Sequence, residues 1–175
     1  MHWAATLAGT ALNNAGTALP HGCSYPVSGG VKALDDRRHF APSTGYSNRA
    51  GGQDAALLPH GYAVAVMAPA AFEVTAYGSP DRHLEAAQLL AGAPVDPSAN
   101  RSPDDCGGLL VEQVVKLMRL TGDCPMGLKE MGFAESDIPA MVRGTIVQQR
   151  VLSVVPLAVD EELLEGVFKR ALQGY

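Results

Sequence analysis

The 175-residue sequence is poor in positive charge and in cysteine. It has 13 Lys and Arg residues against 18 Asp and Glu residues, for a net charge of −5. This offers no cationic surface of the size that binding to a run of phosphates requires. Cys23, Cys106 and Cys124 form an odd set without a Cys-x-x-Cys pair, which argues against a disulfide framework and a cysteine zinc site. We therefore expect no nucleic-acid partner and a reducing compartment.

A long uninterrupted apolar run is also missing. The nearest one, from Tyr62 to Tyr77, contains Pro69 and Glu73, whereas a bilayer span needs about 20 apolar residues. The apolar segment at residues 3–19 has no Lys or Arg before it and two asparagines within it, unlike a signal peptide. We expect no membrane partner and no targeting segment.

What the sequence does contain is a series of helix-start and helix-end signals. A serine followed by proline is typical of a helix N-terminus, and a glycine often follows a helix C-terminus. No stretch alternates strictly enough to indicate a strand. The sequence therefore predicts an all-α fold, a helical bundle in which residues 1–175 form a single domain. The starts are Ser79-Pro80, Ser102-Pro103, Ser136 and Asp160, and the ends are Gly92 and Gly122.

Each predicted helix has an apolar face, and two polar, proline-containing segments separate the helices as loops, at residues 35–53 and 93–102. The predicted faces are Leu84, Ala87, Leu90 and Ala91; Leu109, Leu110, Val111, Val114, Leu117 and Met118; Ile138, Met141 and Val142; and Leu163, Leu164, Val167, Phe168 and Leu172.

One tetrapeptide occurs twice, as Leu-Pro-His-Gly ending at Gly22 and again at Gly61. Imidazole is a common metal ligand at neutral pH, proline restricts the backbone before each histidine, and glycine after it permits close approach. The repeat predicts that His21 and His60 point from two helix ends toward one metal ion. The alternative, a polar turn residue in each copy, stays open because two ligands do not complete a site.

Other polar residues are weaker candidates for a functional site, because no repeated motif surrounds them. His2, His39 and His83 lack a second motif residue and are predicted to lie at the surface. Cys23 and Tyr25 would share the pocket of His21 if this segment leads into a helix, although Tyr25 could instead bury its ring and bond a backbone carbonyl. One of Asn13 and Asn14 is predicted to cap a helix or line a polar cavity. The nucleotide-binding motifs rich in glycine are missing.

The sequence resembles the iron-containing (group III) alcohol dehydrogenases, and within them the hydroxyacid-oxoacid transhydrogenases, over nearly its whole length. The motifs that carry the resemblance are Asn14-Ala15-Gly16, residues 21–29 (HGCSYPVSG), Leu58-Pro59-His60-Gly61, residues 80–85 (PDRHLE), residues 137–140 (DIPA) and residues 149–151 (QRV). The fold that the resemblance implies is the C-terminal helical domain of that family, which is of the dehydroquinate synthase type.

The same resemblance implies a function. His21 and His60 would bind a divalent metal, Fe²⁺ or Zn²⁺, Tyr25 would be a pocket residue, and Leu12 and Asn14 would lie near the nicotinamide of NAD(H). The substrates implied are small hydroxyacids and oxoacids, such as 4-hydroxybutyrate and 2-oxoglutarate. The compartment implied is the mitochondrial matrix in a eukaryote and the cytoplasm otherwise.

The family's N-terminal NAD-binding domain, and an aspartate and a histidine that complete its metal site, are missing from this sequence. The chain is thus expected to be a fragment that associates with copies of itself. Two alternatives remain, a non-catalytic helical module with half a metal site and an ordinary NAD-dependent iron alcohol dehydrogenase. An anionic substrate would need a cation near the metal, for which Arg150 or Lys32 are the candidates.

Overall fold

The computed structural model describes residues 1–31, 58–92, 102–122 and 124–175, and within them every regular element is helical. The predicted all-α fold is confirmed. Both predicted loops fall outside the described residues, apart from Ser102, as do Lys32 and His39. The helices are α1 (His2–Ala15), α2 (Leu19–Gly30), α3 (His60–Thr75), α4 (Pro80–Leu90), α5 (Pro103–Thr121), α6 (Ile138–Ile146), α7 (Gln149–Leu152) and α8 (Glu161–Gln173), with 3₁₀ turns at Leu128–Met131 and Glu135–Asp137.

Helix α3 is the centre of the bundle and packs against α2, α5 and α8. Its sequence is apolar all round, as is typical of a helix enclosed by neighbours, and Val66, Met67 and Ala71 are fully buried. Helix α2 also packs against α6 and α7, α4 packs against α5, and α6 packs against α8. The segment that comes nearest to a membrane span in the sequence is therefore the central helix of this fold.

Helix α5 begins and ends as predicted. The Ser102 hydroxyl accepts a hydrogen bond from the Asp105 N–H, and Gly122 ends the helix with a φ of 76°. Its buried stripe is narrower than predicted, because Leu109 and Leu117 are 42% and 47% exposed. The buried residues are Cys106, Gly107, Leu110, Val115 and Met118, whereas Leu117 lines an open cavity beside α3.

Helix α4 starts at Pro80 after Ser79, and Gly92 follows its end with a φ of 68°. Leu84 and Ala87 are buried as predicted, whereas Leu90 is 47% exposed. The prediction that His83 lies at the surface is wrong, since this side chain is only 8% exposed. It lies between α3 and α4, where two hydrogen bonds hold its ring.

The last helices also follow the predicted pattern. The Asp160 carboxylate accepts a hydrogen bond of 2.8 Å from the Leu163 N–H, and the predicted face of α8 is buried except for Leu163, which is partly buried. Helix α6 follows a 3₁₀ turn that contains Ser136, and its predicted residues Ile138, Met141 and Val142 are buried. Local capping chemistry therefore sets the start of α8, whereas α6 begins at Ile138, two residues after the predicted start at Ser136, and no side chain caps it.

Helix α1 contains both asparagines of the N-terminal apolar segment and ends at Gly16, which has a φ of 76°. None of its residues is buried. In the described residues no helix has both the length and the apolar character of a membrane-spanning segment. The three cysteines are buried thiols and form no disulfide in the part of the chain that the structure describes.

Candidate metal-binding cavity

The two Leu-Pro-His-Gly segments form the N-terminal ends of two neighbouring helices. His21 lies in the first turn of α2, after Pro20, and His60 is the first residue of α3, after Pro59. The leucine of each segment is buried, with Leu19 0% and Leu58 3% exposed. The repeated tetrapeptide thus has one structural explanation: leucine anchors the helix end in the core, proline starts the helix, and histidine comes next.

The two imidazole rings lie beside each other. Their centroids are 5.4 Å apart and their planes are inclined by 60°. Because a zinc–nitrogen bond is about 2.0–2.1 Å long, two imidazoles on one ion can have ring centres up to roughly 6.5 Å apart. The observed separation lies within that limit. The structure therefore brings together the two histidines that the repeat singled out.

The electrostatic environment favours a neutral His21. Burial lowers the pKa of its imidazole below the usual value of 6.5, and the neighbouring His60 lowers it further. A neutral imidazole has the free lone pair that a metal ion needs, whereas a protonated one does not. His21 is half-buried and His60 is exposed, so one ring is held within the fold while the other is open to solvent.

Tyr25 lies one helical turn after His21, and its ring stacks on His60 with centroids 5.8 Å apart and planes inclined by 23°. The side chain is 38% exposed, so the alternative of a buried ring is wrong. Residues four apart share a helix face, and a residue two positions away faces the opposite side. This geometry places His21 and Tyr25 on one face of α2, where both rings lie beside His60.

The prediction that Cys23 shares this pocket is wrong for the same reason. Cys23 is 0% exposed and belongs to the core cluster. Burial raises the pKa of its thiol to about 12, although the Thr145 hydroxyl partly opposes that shift. A thiol of such high pKa stays protonated at neutral pH and is neither a nucleophile nor a metal ligand. Cys23 therefore has a packing role.

A cavity of about 430 Å³ opens over the two histidines. Helix α1 contributes Leu12 and Asn13 to its wall, whereas the Asn14 side chain donates a hydrogen bond of 2.7 Å to the Thr10 carbonyl and does not line the cavity. Asn13 thus lines the cavity, as predicted for one of the two asparagines, and the place of Asn14 near the nicotinamide stays a prediction. The lining residues are Leu12, Asn13, Gly16, Thr17, His21, Tyr25, His60 and Arg150.

Sequence reasoning missed Gly16 and Thr17 as parts of this wall. The signal that could have found them is the glycine after an apolar, helix-forming segment, since Gly16 adopts a positive φ and ends α1. The chain then turns toward the start of α2. Gly16 and Thr17, two of the three residues between these helices, thereby line the same cavity as His21.

Arg150 comes to the cavity on α7, and Gly22 allows that helix to come close. A Cβ at residue 22 would lie 3.1 Å from Leu152 and 3.3 Å from Val151, which is tighter than ordinary contact. At Gly61, by contrast, a Cβ would meet nothing within 4 Å. The expectation that glycine permits close approach thus holds at Gly22 and not, for the described residues, at Gly61.

The remaining candidate ligands lie elsewhere. His83 is buried between α3 and α4, and His2 is exposed on α1. Among the residues that the structure describes, no group of three or more histidine, cysteine, aspartate or glutamate side chains could hold a metal ion. This part of the chain therefore offers two imidazoles toward a metal site.

No family model matches the chain. Its fold is similar to that of solved alcohol dehydrogenases. With a 1,3-propanediol oxidoreductase the TM-score is 0.69 at 21% identity, and the match covers 95% of this chain and 35% of that one. The alcohol dehydrogenase from Oenococcus oeni gives the same TM-score and identity over 94% of this chain. The architecture is thus that of a helical part of an alcohol dehydrogenase.

The curated relatives narrow this class. Over its whole length the chain is 35% identical to the mitochondrial hydroxyacid-oxoacid transhydrogenases of Xenopus tropicalis and Homo sapiens. It is 38% identical to the probable mitochondrial hydroxyacid-oxoacid transhydrogenase of Dictyostelium discoideum. These matches confirm the resemblance identified from the sequence. The chain spans about a third of the length of these relatives, 34%, 34% and 29% respectively.

Proposed function

We propose that this chain supplies the metal-binding helical part of an oxidoreductase of the iron-containing alcohol dehydrogenase type, which moves hydride between hydroxyacids and oxoacids. The observation that carries the proposal is the pair of imidazoles 5.4 Å apart at two helix ends. They line one cavity together with a phenol and a guanidinium. The names of the relatives supply the substrate class.

The donor set fits half of a divalent metal site. His21 and His60 would hold the ion, and the resemblance implies that an aspartate and a third histidine complete the set. Two neutral imidazoles suit either Fe²⁺ or Zn²⁺. A divalent metal bound there supplies Lewis acidity toward the oxygen of an alcohol or carbonyl substrate.

The chain's own residues orient this site. The Tyr25 ring stacks on His60 and limits the rotation of its imidazole. Leu12 gives the cavity an apolar wall, and we propose that it packs near the nicotinamide of NAD(H). Asn13 takes the polar place in that wall that the resemblance assigned to Asn14, because only Asn13 lines the cavity. An apolar wall beside a reacting centre excludes water.

NAD(H) is proposed as the hydride carrier because the relatives are transhydrogenases by name. No glycine-rich phosphate-binding motif occurs in the sequence, so we propose that residues outside this chain hold most of the cofactor. The relatives' names carry the word mitochondrial. We accordingly propose the mitochondrial matrix as the compartment if the source is a eukaryote, and the cytoplasm otherwise.

The first experiment measures metal binding by this chain. Co²⁺ is added to the protein, and binding is followed by calorimetry and by the visible absorption of the ion. We expect His21→Ala and His60→Ala each to weaken binding by more than about tenfold, because each removes a ligand. His2→Ala is the matched control, since His2 is exposed on α1. Equal Co²⁺ binding by the double variant and the wild type would contradict the proposal.

The second experiment measures the reaction. The chain replaces the matching part of the Dictyostelium discoideum relative, and the purified chimera is assayed with 4-hydroxybutyrate and 2-oxoglutarate. We expect hydride transfer between the two acids without added NAD, and its loss in the His60→Ala chimera. Turnover of simple primary alcohols with free NAD would instead indicate an ordinary alcohol dehydrogenase. A folded, metal-binding chimera without turnover would indicate a non-catalytic module.

A further inference from the structure

Arg150 brings a guanidinium to the cavity wall, and no described residue neutralises it. Two other arginines of the fold have carboxylate partners: Arg82 pairs with Glu85 at 2.9 Å, and Arg170 pairs with Glu73 at 3.1 Å. Within the described ranges, no carboxylate pairs with Arg150 and no hydrogen bond involves its guanidinium. A permanently charged side chain without a counter-ion is free to bind an anion from solution.

Among the described residues, no aspartate or glutamate lines the cavity. The other ionisable residues of this wall are His21, Tyr25 and His60. Arg150 is therefore the one permanently charged side chain in the described part of the wall.

Packing holds the backbone of the short helix that carries Arg150 in place, while the Arg150 side chain is exposed. It lies on α7, where the next two residues, Val151 and Leu152, are 3% and 6% exposed. These two side chains pack against the position where Gly22 lacks a Cβ, directly after His21 in the sequence. The element that carries the guanidinium is thus fixed against the element that carries the imidazole, as a precise binding site requires.

We propose that Arg150 determines specificity by binding the carboxylate of the substrate, so that the cavity selects short hydroxy- and oxocarboxylates over neutral alcohols of equal length. This inference rests on the proposed function and adds the residue that recognises the acid. A guanidinium binds a carboxylate through two parallel hydrogen bonds. The carboxylate at Arg150 leaves the other end of a short substrate to face the two histidines.

The test compares a carboxylate with its neutral counterpart. The chain is titrated with 4-hydroxybutyrate and with 1,4-butanediol, and binding is followed by the NMR signals of the His21 and His60 imidazoles. We expect the carboxylate to bind roughly tenfold more tightly than the diol, as for a charge-assisted pair. Arg150→Gln should abolish this preference and leave diol binding unchanged, while Arg150→Lys should retain part of it.

Arg143→Gln is the matched control, since Arg143 is exposed on α6 and lines a different cavity. Three outcomes would overturn the inference: no preference in the wild type, an unchanged preference in Arg150→Gln, or an equal loss of both ligands in that variant. The Co²⁺ titration separates this test from the proposed function. Metal binding without an Arg150-dependent preference overturns the inference alone, and the preference without metal binding overturns the proposed function.

Discussion

His83 is the residue whose environment differs most from its sequence context. Its ring lies between α3 and α4, with Nδ1 2.8 Å from the Ser79 carbonyl oxygen and Nε2 2.8 Å from the Thr75 hydroxyl. A carbonyl oxygen only accepts, so Nδ1 is the donor and Nε2 accepts from Thr75. Phe72 contacts the ring edge to face, with centroids 5.9 Å apart. Both ring nitrogens are thus satisfied in a buried position.

We predict that His83→Leu lowers the free energy of unfolding by about 1–3 kcal/mol, because the buried Thr75 hydroxyl loses its partner. The double variant with Thr75→Val should cost less than the sum of the two single variants, since both polar partners are then removed together. Urea unfolding monitored by circular dichroism measures both effects. His2→Ala is the control and should change stability little. Strict additivity of the two substitutions would contradict the predicted hydrogen bond.

The environment of a single residue can be predicted from the sequence when the residues next to it in the chain define its role. His21 and His60 could be singled out because an identical leucine, proline and glycine surround each of them. His83 follows Asp81 and Arg82, which are exposed, and this polar context predicted a surface position. Its partner Ser79 directly precedes the same helix, whereas Thr75 ends the preceding helix, and the turn between α3 and α4 brings Thr75 to the ring.

Helix α3 contains Pro69 in its interior and is bridged there by Tyr175. The Tyr175 hydroxyl donates to the Val66 carbonyl oxygen at 3.1 Å and accepts from the Ala70 N–H at 3.3 Å. These two backbone groups are four residues apart and would bond to each other in a regular helix. Proline disturbs such pairing. The phenol therefore satisfies backbone groups at the weakest point of the central helix.

We predict that Tyr175→Phe lowers the free energy of unfolding by about 1–3 kcal/mol at pH 7, because two buried backbone groups lose a partner. Thermal and urea unfolding measure this loss. Tyr25→Phe is the matched control, since the structure gives its hydroxyl no hydrogen bond among the described residues, and it should change stability by less than about 0.5 kcal/mol. Equal stabilities of the Tyr175→Phe variant and the wild type would contradict the bridge.

The raised pKa of Tyr175 also leads us to predict a loss of stability in alkali. Burial raises the pKa of Tyr175 above its ordinary value of 10. Above pH 10 the unfolded chain therefore releases this proton while the native protein keeps it, so stability is complete below pH 10 and falls as the pH rises further. The Tyr175→Phe variant should lose less stability than the wild type between pH 10 and 11. An equal loss in both proteins would show that another group causes it.

Among the elements, helix boundaries could be predicted and buried faces only in part. Ser102 and Asp160 begin their helices by accepting hydrogen bonds from the backbone N–H groups three residues on, and such capping is local chemistry that a sequence displays. Which leucines are buried depends on the direction of the neighbouring helices. Leu109 and Leu117 extend an apolar stripe in the sequence, yet they are 42% and 47% exposed in the fold.

The two adjacent glycines of α5 also have roles that the sequence alone does not reveal. A Cβ at Gly107 would lie 3.0 Å from the Ala76 Cβ, whereas one at Gly108 would meet nothing within 4 Å. In the sequence both glycines only weaken a helix turn. In the fold Gly107 allows α5 to approach the end of α3, and this reason exists only once the two helices are packed.

For the molecule as a whole, the predicted helical class and the pairing of the two histidines followed from periodicity and a repeated motif. The cavity could not be predicted in full, because its wall combines residues from α1, α2, α3 and α7 with the turn at Gly16 and Thr17. Such a combination depends on long-range packing. Arg150 was a candidate only because an acidic substrate requires a cation, and the structure adds its place beside the imidazoles.

Helix α1 carries an apolar surface that the described part of the chain leaves open. Trp3, Leu7 and Leu12 are 73%, 53% and 49% exposed, and the first two share a face because they are four residues apart. Exposed apolar patches favour association. We predict that the chain associates with copies of itself through this face, so that its mass in light scattering rises with protein concentration.

Adding a charge to this face should reverse that association. Burying a leucine contributes about 1.5–3 kcal/mol, so Leu7→Glu should weaken association by roughly tenfold or more. Ala5→Glu is the matched control, because it adds the same charge on the opposite side of the helix, and it should associate like the wild type. A chain that is monomeric at every concentration would contradict the prediction, and equal weakening by both substitutions would show that net charge, rather than the apolar face, controls the assembly.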